Sequence, residues 1–243
     1  MPDKSAIEWT DATWNPVTGC TKISPGCAHC YAETITLRFK RGGPFLPGKT
    51  TIKLHPDRLD QPAKWRAPRR IFVNSMSDLF HEEVPFEFVR QVFDVMAENP
   101  RHIYQVLIKR PERMLEYVEW TEYQRWPDQA WAGVSVENQR WEDTRIPLLR
   151  KVPCAVRFLS CEPLLKPIDL DLNGIQWVIV GGESGRRARP MKEEWVVQIR
   201  NRCIKAGESF FFKQWGGRTS KAGGRVLDGK FWGEYPRPVT VGA

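Results

Sequence analysis

No stretch of 18 or more apolar residues occurs in the 243-residue chain, so no segment has the length and composition of a membrane-spanning helix. The first sixteen residues, MPDKSAIEWTDATWNP, lack an apolar h-region; secretion is not expected, and a cytoplasmic setting is. Internal repeats and low-complexity blocks are missing too, which argues against a solenoid or a long disordered linker. In a reducing compartment disulfides are rare, so the six cysteines read as metal ligands, redox groups or small core residues. Three of them crowd into TGCTKISPGCAHCYAE, residues 18–33, with the spacing Cys20-x6-Cys27-x2-Cys30. What that loop lacks is a fourth cysteine.

What is present is ordinary for a globular domain: 41% hydrophobic and 27% charged residues, in a chain long enough for one substantial core. The formal net charge of +8 attracts polyanions, of which nucleic acid is the commonest. The basic residues cluster at 38–41, 66–70 and 186–189; the plainer reading is a solvated face that aids solubility. Of eleven tryptophans, most are expected in the core or its rim and a minority to stack on bases.

Short apolar runs rich in β-branched and aromatic residues predict strands at 71–74, 103–109, 131–136, 156–160, 177–180 and 210–213, with a further extended piece at 51–54. Helical periodicity appears at 86–99, with Phe86, Val89, Phe93 and Met96 on one stripe, and again at 142–150 and 193–206, where Gly207 supplies a stop. Strands alternating with helices imply parallel βαβ units. The fold class expected is α/β: a partial or closed parallel β/α barrel, with a doubly wound open sheet as the alternative. The barrel would span 1–215, and 216–243 would form a Gly-rich basic appendage, with a hairpin turning at Asp228-Gly229. In either architecture chemistry gathers at the carboxyl ends of strands. Polar residues collect there: Asn74 to Asp78, Lys109-Arg110, Ser135 and Glu137, Ser160 to Glu162, and Gly181 to Ser184.

Thiolates suit zinc and iron–sulfur clusters. A structural zinc site takes four protein ligands; the loop offers three cysteines and His29, with His55, His81 or Cys161 as distant fourth ligands. Three thiols without a fourth match a [4Fe–4S] cluster that keeps one iron open for a small molecule. The plain alternative is three reduced cysteines in a turn-rich loop. Cys154, Cys161 and Cys203 read as buried small hydrophobes.

The loop resembles the cluster loop of radical S-adenosylmethionine (radical SAM) enzymes, whose common spacing is Cys-x3-Cys-x2-Cys; the second gap matches and the first is longer. The order of later segments is similar to that of the spore photoproduct lyase branch: TIKLHPDRL, then SMSD at 75–78, Ile108-Lys109, Val134-Ser135, RIPLL and VRFLSCEPLL. The chain also resembles a phage-associated three-Cys-motif family with the same loop and the same GGESG segment.

The resemblance implies that Cys20, Cys27 and Cys30 bind three irons of a [4Fe–4S] cluster, and that S-adenosylmethionine takes the fourth and is cleaved to a 5′-deoxyadenosyl radical. It implies Lys109 for the methionine carboxylate, Ser75, Ser77 and Asp78 near the amino group, Ser135 near the cofactor, and His29 or Tyr31 against adenine. Read plainly, Ser75, Ser77 and Asp78 are a helix cap and first turn. Gly181 and Gly182, followed by Glu183, Arg186 and Arg187, look like a phosphate clamp; the family's Gly-Gly-Glu lies on the second strand, whereas this one falls late. Glu162 is a second strand-end carboxylate for substrate, and Cys161 a candidate hydrogen donor. The function expected is a radical SAM enzyme acting on a nucleic-acid base or nucleotide, in DNA modification or repair, with an external electron donor and no membrane partner. The alternative is a zinc- or iron–sulfur-stabilised nucleic-acid-binding protein without catalysis.

Overall fold

The computed structural model describes residues 5–39, 42–122 and 124–236; Lys40 and Arg41 of one basic cluster and the tail from 237 onward lie outside them. Seven strands build the main sheet: β1 (Ala12–Trp14), β2 (Arg70–Val73), β3 (Ile103–Ile108), β4 (Ala130–Ser135), β5 (Arg157–Cys161), β6 (Trp177–Gly181) and β7 (Ser209–Gln214). All adjacent pairs are parallel and the spatial order follows the chain order from β1 to β7. The sheet curls into a half-barrel. A doubly wound sheet would reverse its strand order partway; this one does not. Among the described residues β1 and β7 do not pair, so the barrel is not closed.

Five helices alternate with the strands: α1 (Tyr31–Arg38), α2 (Phe86–Glu98), α3 (Pro111–Thr121), α4 (Gln139–Leu149) and α5 (Glu193–Ala206). None is long and apolar enough to cross a membrane. The 86–99 stripe is buried as expected at Val89, Phe93 and Met96, joined by Val92. Gly207 ends α5 with φ 75°, a left-handed geometry that costs glycine little. The 51–54 piece forms a two-residue strand, Lys53–Leu54, pairing antiparallel with Val17–Thr18 outside the main sheet.

Side chains alternate between two cores. Trp14, Ile71, Val106, Val134, Leu159, Val180 and Phe212 face the helices. Phe72, Trp131, Phe158, Trp177, Ile179 and Phe211 fill the inner face together with Trp9 from the segment before β1. The aromatic residues plug the amino end of the half-barrel and leave its carboxyl end polar. The C-terminal hairpin turns at Asp228 (φ 50°) and Gly229 (φ 76°), as Asp-Gly in a tight turn predicts. The chain then returns along β7, Gly233 bridging Phe211, and Tyr235 packs on Trp177 and beneath the Arg70 guanidinium.

Candidate functional site

The three-cysteine loop follows β1 and crosses the carboxyl end of the half-barrel. It is fastened strand by strand. Ser77 Oγ donates to the carbonyl of Val17 at 2.9 Å, just before the loop. Thr21 pairs with His81 Nε2 at 2.9 Å and accepts from Arg110 Nη2 at 2.7 Å. Ser24 Oγ donates to Glu137 Oε1 at 2.6 Å. Gly26 passes so near that a Cβ would lie 2.4 Å from the same oxygen. His29 Nδ1 is 3.0 Å from Glu183 Oε2, and the Tyr31 hydroxyl donates to the Ser75 carbonyl at 2.5 Å. The ends of β2, β4 and β6 therefore all hold the loop.

Cations stand near the thiols, and Arg110 touches one of them. Burial, and then the charge of Asp78, push the Cys20 thiol up to about 12, while Arg110, with Nη1 3.9 Å from Cys20 Sγ, opposes them. Burial raises the Cys30 thiol; the backbone N–H groups of Glu33 and Ala32 and the charge of Lys109 work against it. Arg145 is lowered by its own burial and supported by the charges of Glu137 and Cys27. Cys27 also raises both other thiols, so the three sit within electrostatic reach of one another.

Carboxylates hold these cations in turn. Asp78 accepts from the Lys109 N–H at 2.9 Å and from Arg110 Nη1 at 3.3 Å. Glu137 is fully buried, meeting Arg145 Nη1 at 3.1 Å and Lys109 Nζ at 3.5 Å. Burial alone would raise its carboxyl; Lys109, Arg145 and Ser24 outweigh that and hold it below the ordinary glutamate value. Arg145 Nε and Nη2 are buried with no protein partner, and its guanidinium lies over the Trp141 ring at 4.0 Å.

This donor set suits an anionic thiolate-held cluster. Burial makes Cys20 and Cys30 resist ionisation alone, and nearby cations would offset the charge the thiols carry once metal displaced their protons. Among the described residues, no three His, Cys, Asp or Glu side chains converge tightly enough for a single metal ion. A cluster spreads its thiolates over separate irons and asks for less convergence. The distant histidines are engaged elsewhere: His55 Nε2 pairs with Thr18 Oγ1 at 2.8 Å and His81 supports Thr21.

The other expected site residues divide. Lys109 and Ser135 stand at the ends of β3 and β4 on the inner face, and the Ser135 hydroxyl has no partner among the described residues. Ser75 exchanges hydrogen bonds with Asn15 at 3.2 Å. Ser77 and Asp78 are spent on the loop and on the Lys109-Arg110 turn, so they support the site. Glu162 Oε2 accepts from Trp9 Nε1 and Ser160 Oγ at 3.1 Å each, and Lys213 Nζ lies 2.9 Å from Oε1.

Three expectations are corrected. Gly181 and Gly182 do not offer a phosphate cradle. The Gly182 N–H is given to the Gln214 carbonyl and that of Gly185 to Gly217, at 2.9 Å each. Gly182 is required because a Cβ there would lie 1.9 Å from the Trp215 carbonyl oxygen, and α5 begins only at Glu193. Glu183 is not free for substrate, because His29 Nδ1 binds it; that bond uses the ring edge of His29 and leaves its face, on a side chain a third exposed, for adenine. Arg189 adds Nε at 2.9 Å and Nη2 at 2.5 Å to Glu183, and Nη2 also reaches the Pro25 carbonyl at 2.9 Å. These contacts hold the Glu183 carboxyl down at about 2, against the burial that would raise it. Cys161 is wholly buried in the helix-facing core beside Cys203, on the face opposite Ser160 and Glu162, so it cannot reach a substrate at the mouth. Arg186 and Arg187 are exposed and have no ion-pair partner among the described residues.

Arg145 and Lys213 did not stand out as site residues in the sequence; Arg110 was visible only as one of the polar residues at strand ends, and Arg189 only within the basic run expected to clamp phosphate. Period-two alternation puts Lys213 on the inner face with Phe211. Arg145 carried a signal only as part of RIPLL, and Arg189 binds the Glu183 carboxylate in place of the phosphate it was expected to clamp.

Residues 4–236 match the family described as "Protein of unknown function (DUF5131)", and the chain belongs to that family. No curated protein and no solved structure matches it.

Proposed function

We propose that this chain is a radical SAM enzyme in which Cys20, Cys27 and Cys30 hold three irons of a [4Fe–4S] cluster, and that it acts on a nucleic-acid base or nucleotide. The observation that carries the reading is the seating of the three-cysteine loop on the carboxyl end of a parallel half-barrel, with Arg110 3.9 Å from Cys20 and the buried Glu137 holding Lys109 and Arg145 beneath it. When bound, the cluster would supply reductive cleavage of a C–S bond of S-adenosylmethionine, with the electron coming from an external donor, and so the means to take hydrogen from a substrate.

The chain's own residues do the rest. Lys109, its ammonium 3.5 Å from Glu137 Oε1, suits the methionine carboxylate. Ser135 offers an uncommitted hydroxyl on the next strand. Glu162, fixed by Trp9, Ser160 and Lys213, suits a ribose or substrate edge. The aromatic plug beneath, from Trp9 to Phe211, keeps bulk water from entering through the amino end. The charge of +8 favours a polyanionic substrate.

Anaerobic reconstitution with iron and sulfide is expected to give ~3–4 irons per chain and a brown protein, as a thiolate-held cluster requires. With S-adenosylmethionine and reductant it is expected to form 5′-deoxyadenosine. A colourless protein that binds one zinc and never forms that product sinks the proposal.

A further inference from the structure

A groove of about 380 Å³ opens beside the cysteine loop, at the start of α4, lined by Pro25, Asn138, Arg140, Trp141, Lys166 and Pro167 among others. Pro25 belongs to the loop itself, two residues before Cys27. Its lining includes two prolines and an indole. Arg145 lies 4.0 Å over the Trp141 ring, and the Arg140 guanidinium is 5.4 Å from the same centroid. Arg140 and Lys166 have no carboxylate partner among the described residues. The nearest helix carboxylates are engaged, Gln139 Nε2 donating to Glu142 and Asp143 at 2.9 Å each.

A slot with flat apolar walls takes a planar ring. Two uncommitted cations at its rim take an anion. A heteroaromatic base joined to a phosphate has both parts, and a net charge of +8 favours a chain of them over a single unit.

We infer that this groove holds one base and its phosphate from a single-stranded nucleic acid, the base packed on Trp141 between Pro25 and Pro167 and the phosphate met by Arg140 and Lys166. The inference rests on the reading of a nucleic-acid substrate above and names where the strand is held beside the reacting centre. The Trp141–Arg145 stack then couples the groove to the buried Arg145 next to Cys27.

Fluorescence anisotropy with labelled single-stranded DNA and RNA oligonucleotides, on the reconstituted full chain without reductant, tests it. Trp141→Leu is expected to weaken binding about 10-fold or more, the loss of one stacked base, and Trp141→Phe to stay within about 2-fold of the unaltered chain. The exposed pair Arg140→Gln/Lys166→Gln, which cannot disturb the core, is expected to lower the slope of log K against log salt by about 0.7, the loss of one phosphate contact. Unchanged affinity and slope in these variants overturn the groove, as does competition by a mononucleotide at the oligonucleotide's own concentration. Binding is read without turnover, so the two proposals fail separately. A chain that binds strands here but never forms 5′-deoxyadenosine removes only the enzyme reading. One that forms it while the variants bind like the unaltered chain removes only the groove.

Discussion

His29 Nδ1 lies 3.0 Å from Glu183 Oε2, and Arg189 grips the same carboxylate from the other side. This contact ties the loop that follows β1 to the end of β6, across a mouth whose edge strands do not meet. The half-barrel is bridged by side chains where a full barrel would be closed by strands.

Acid should therefore act on this clamp. Glu183 is held at about 2 against an ordinary 4.5. A depressed folded-state value means that its stabilisation is fully present above 4.5 and is lost as pH falls through about 2. Urea unfolding followed by circular dichroism at stepped pH should show Glu183→Gln less stable than the unaltered chain at pH 7, with the gap narrowing between pH 4.5 and 2. A gap that stays constant over that window removes Glu183 as the titrating group.

Glu137 carries the heaviest electrostatic duty. It and Arg145 are both essentially without solvent contact, and a buried ion that loses its partner is strongly unfavourable. Glu137→Gln is expected to destabilise the chain by about 3–5 kcal/mol, read as a lowered denaturant midpoint at unchanged slope. A loss below about 1 kcal/mol would mean that Arg145 is compensated by something other than Glu137.

Much of this was legible in the sequence, and the reasons are local. Runs such as WVIV and FFFK can only be strands buried on both faces, and Gly207 could stop a helix because nothing else there tolerates a positive φ. The parallel order and the polar ends of β3, β4 and β5 followed from alternation alone. β1 was not visible: three residues, ATW, pair with a single neighbour and carry no periodic signal. α3 was missed because its buried positions, Met114 and Tyr117, are too few to outweigh its charged residues. The glycine pair at 181–182 looked like a phosphate turn because sequence shows the freedom glycine gives and not what occupies the space. Here the Trp215 carbonyl occupies it. Glu183 and His29, 154 residues apart, had no shared signal at all.

Cysteine reactivity separates the loop from the core. Cys161 is wholly buried and its thiol is raised well above the ordinary range by burial; Cys203 is pushed up to about 12. Iodoacetamide under native conditions, mapped by mass spectrometry, should leave both unmodified and label Cys20 and Cys30, which are partly exposed, with labelling rising as pH increases. Reconstitution with iron should protect Cys20 and Cys30 as well. Cys161→Ala should keep full iron content and cost about 1–2 kcal/mol of stability through the small cavity left behind. Loss of iron in that variant would return Cys161 to the site.

Gly26 tests the loop's placement without touching a thiol. A Cβ there would stand 2.4 Å from Glu137 Oε1 and 2.6 Å from its Cγ, and Glu137 cannot retreat because Arg145, Lys109 and Ser24 all hold it. The loop would have to move, carrying Cys27 away from Arg145. Gly26→Ala is therefore expected to lose most of the iron taken up on reconstitution while all three cysteines remain. Gly233→Ala, whose Cβ meets only ordinary van der Waals contact at 3.9 Å, should keep it. Glu137→Asp withdraws the carboxylate by one methylene, so adding it to Gly26→Ala should restore part of the iron, although Glu137→Asp alone lowers it. Sign reversal of that kind arises only if the two residues meet sterically. A double variant no better than Gly26→Ala would show that the loop is positioned by something other than its contact with Glu137.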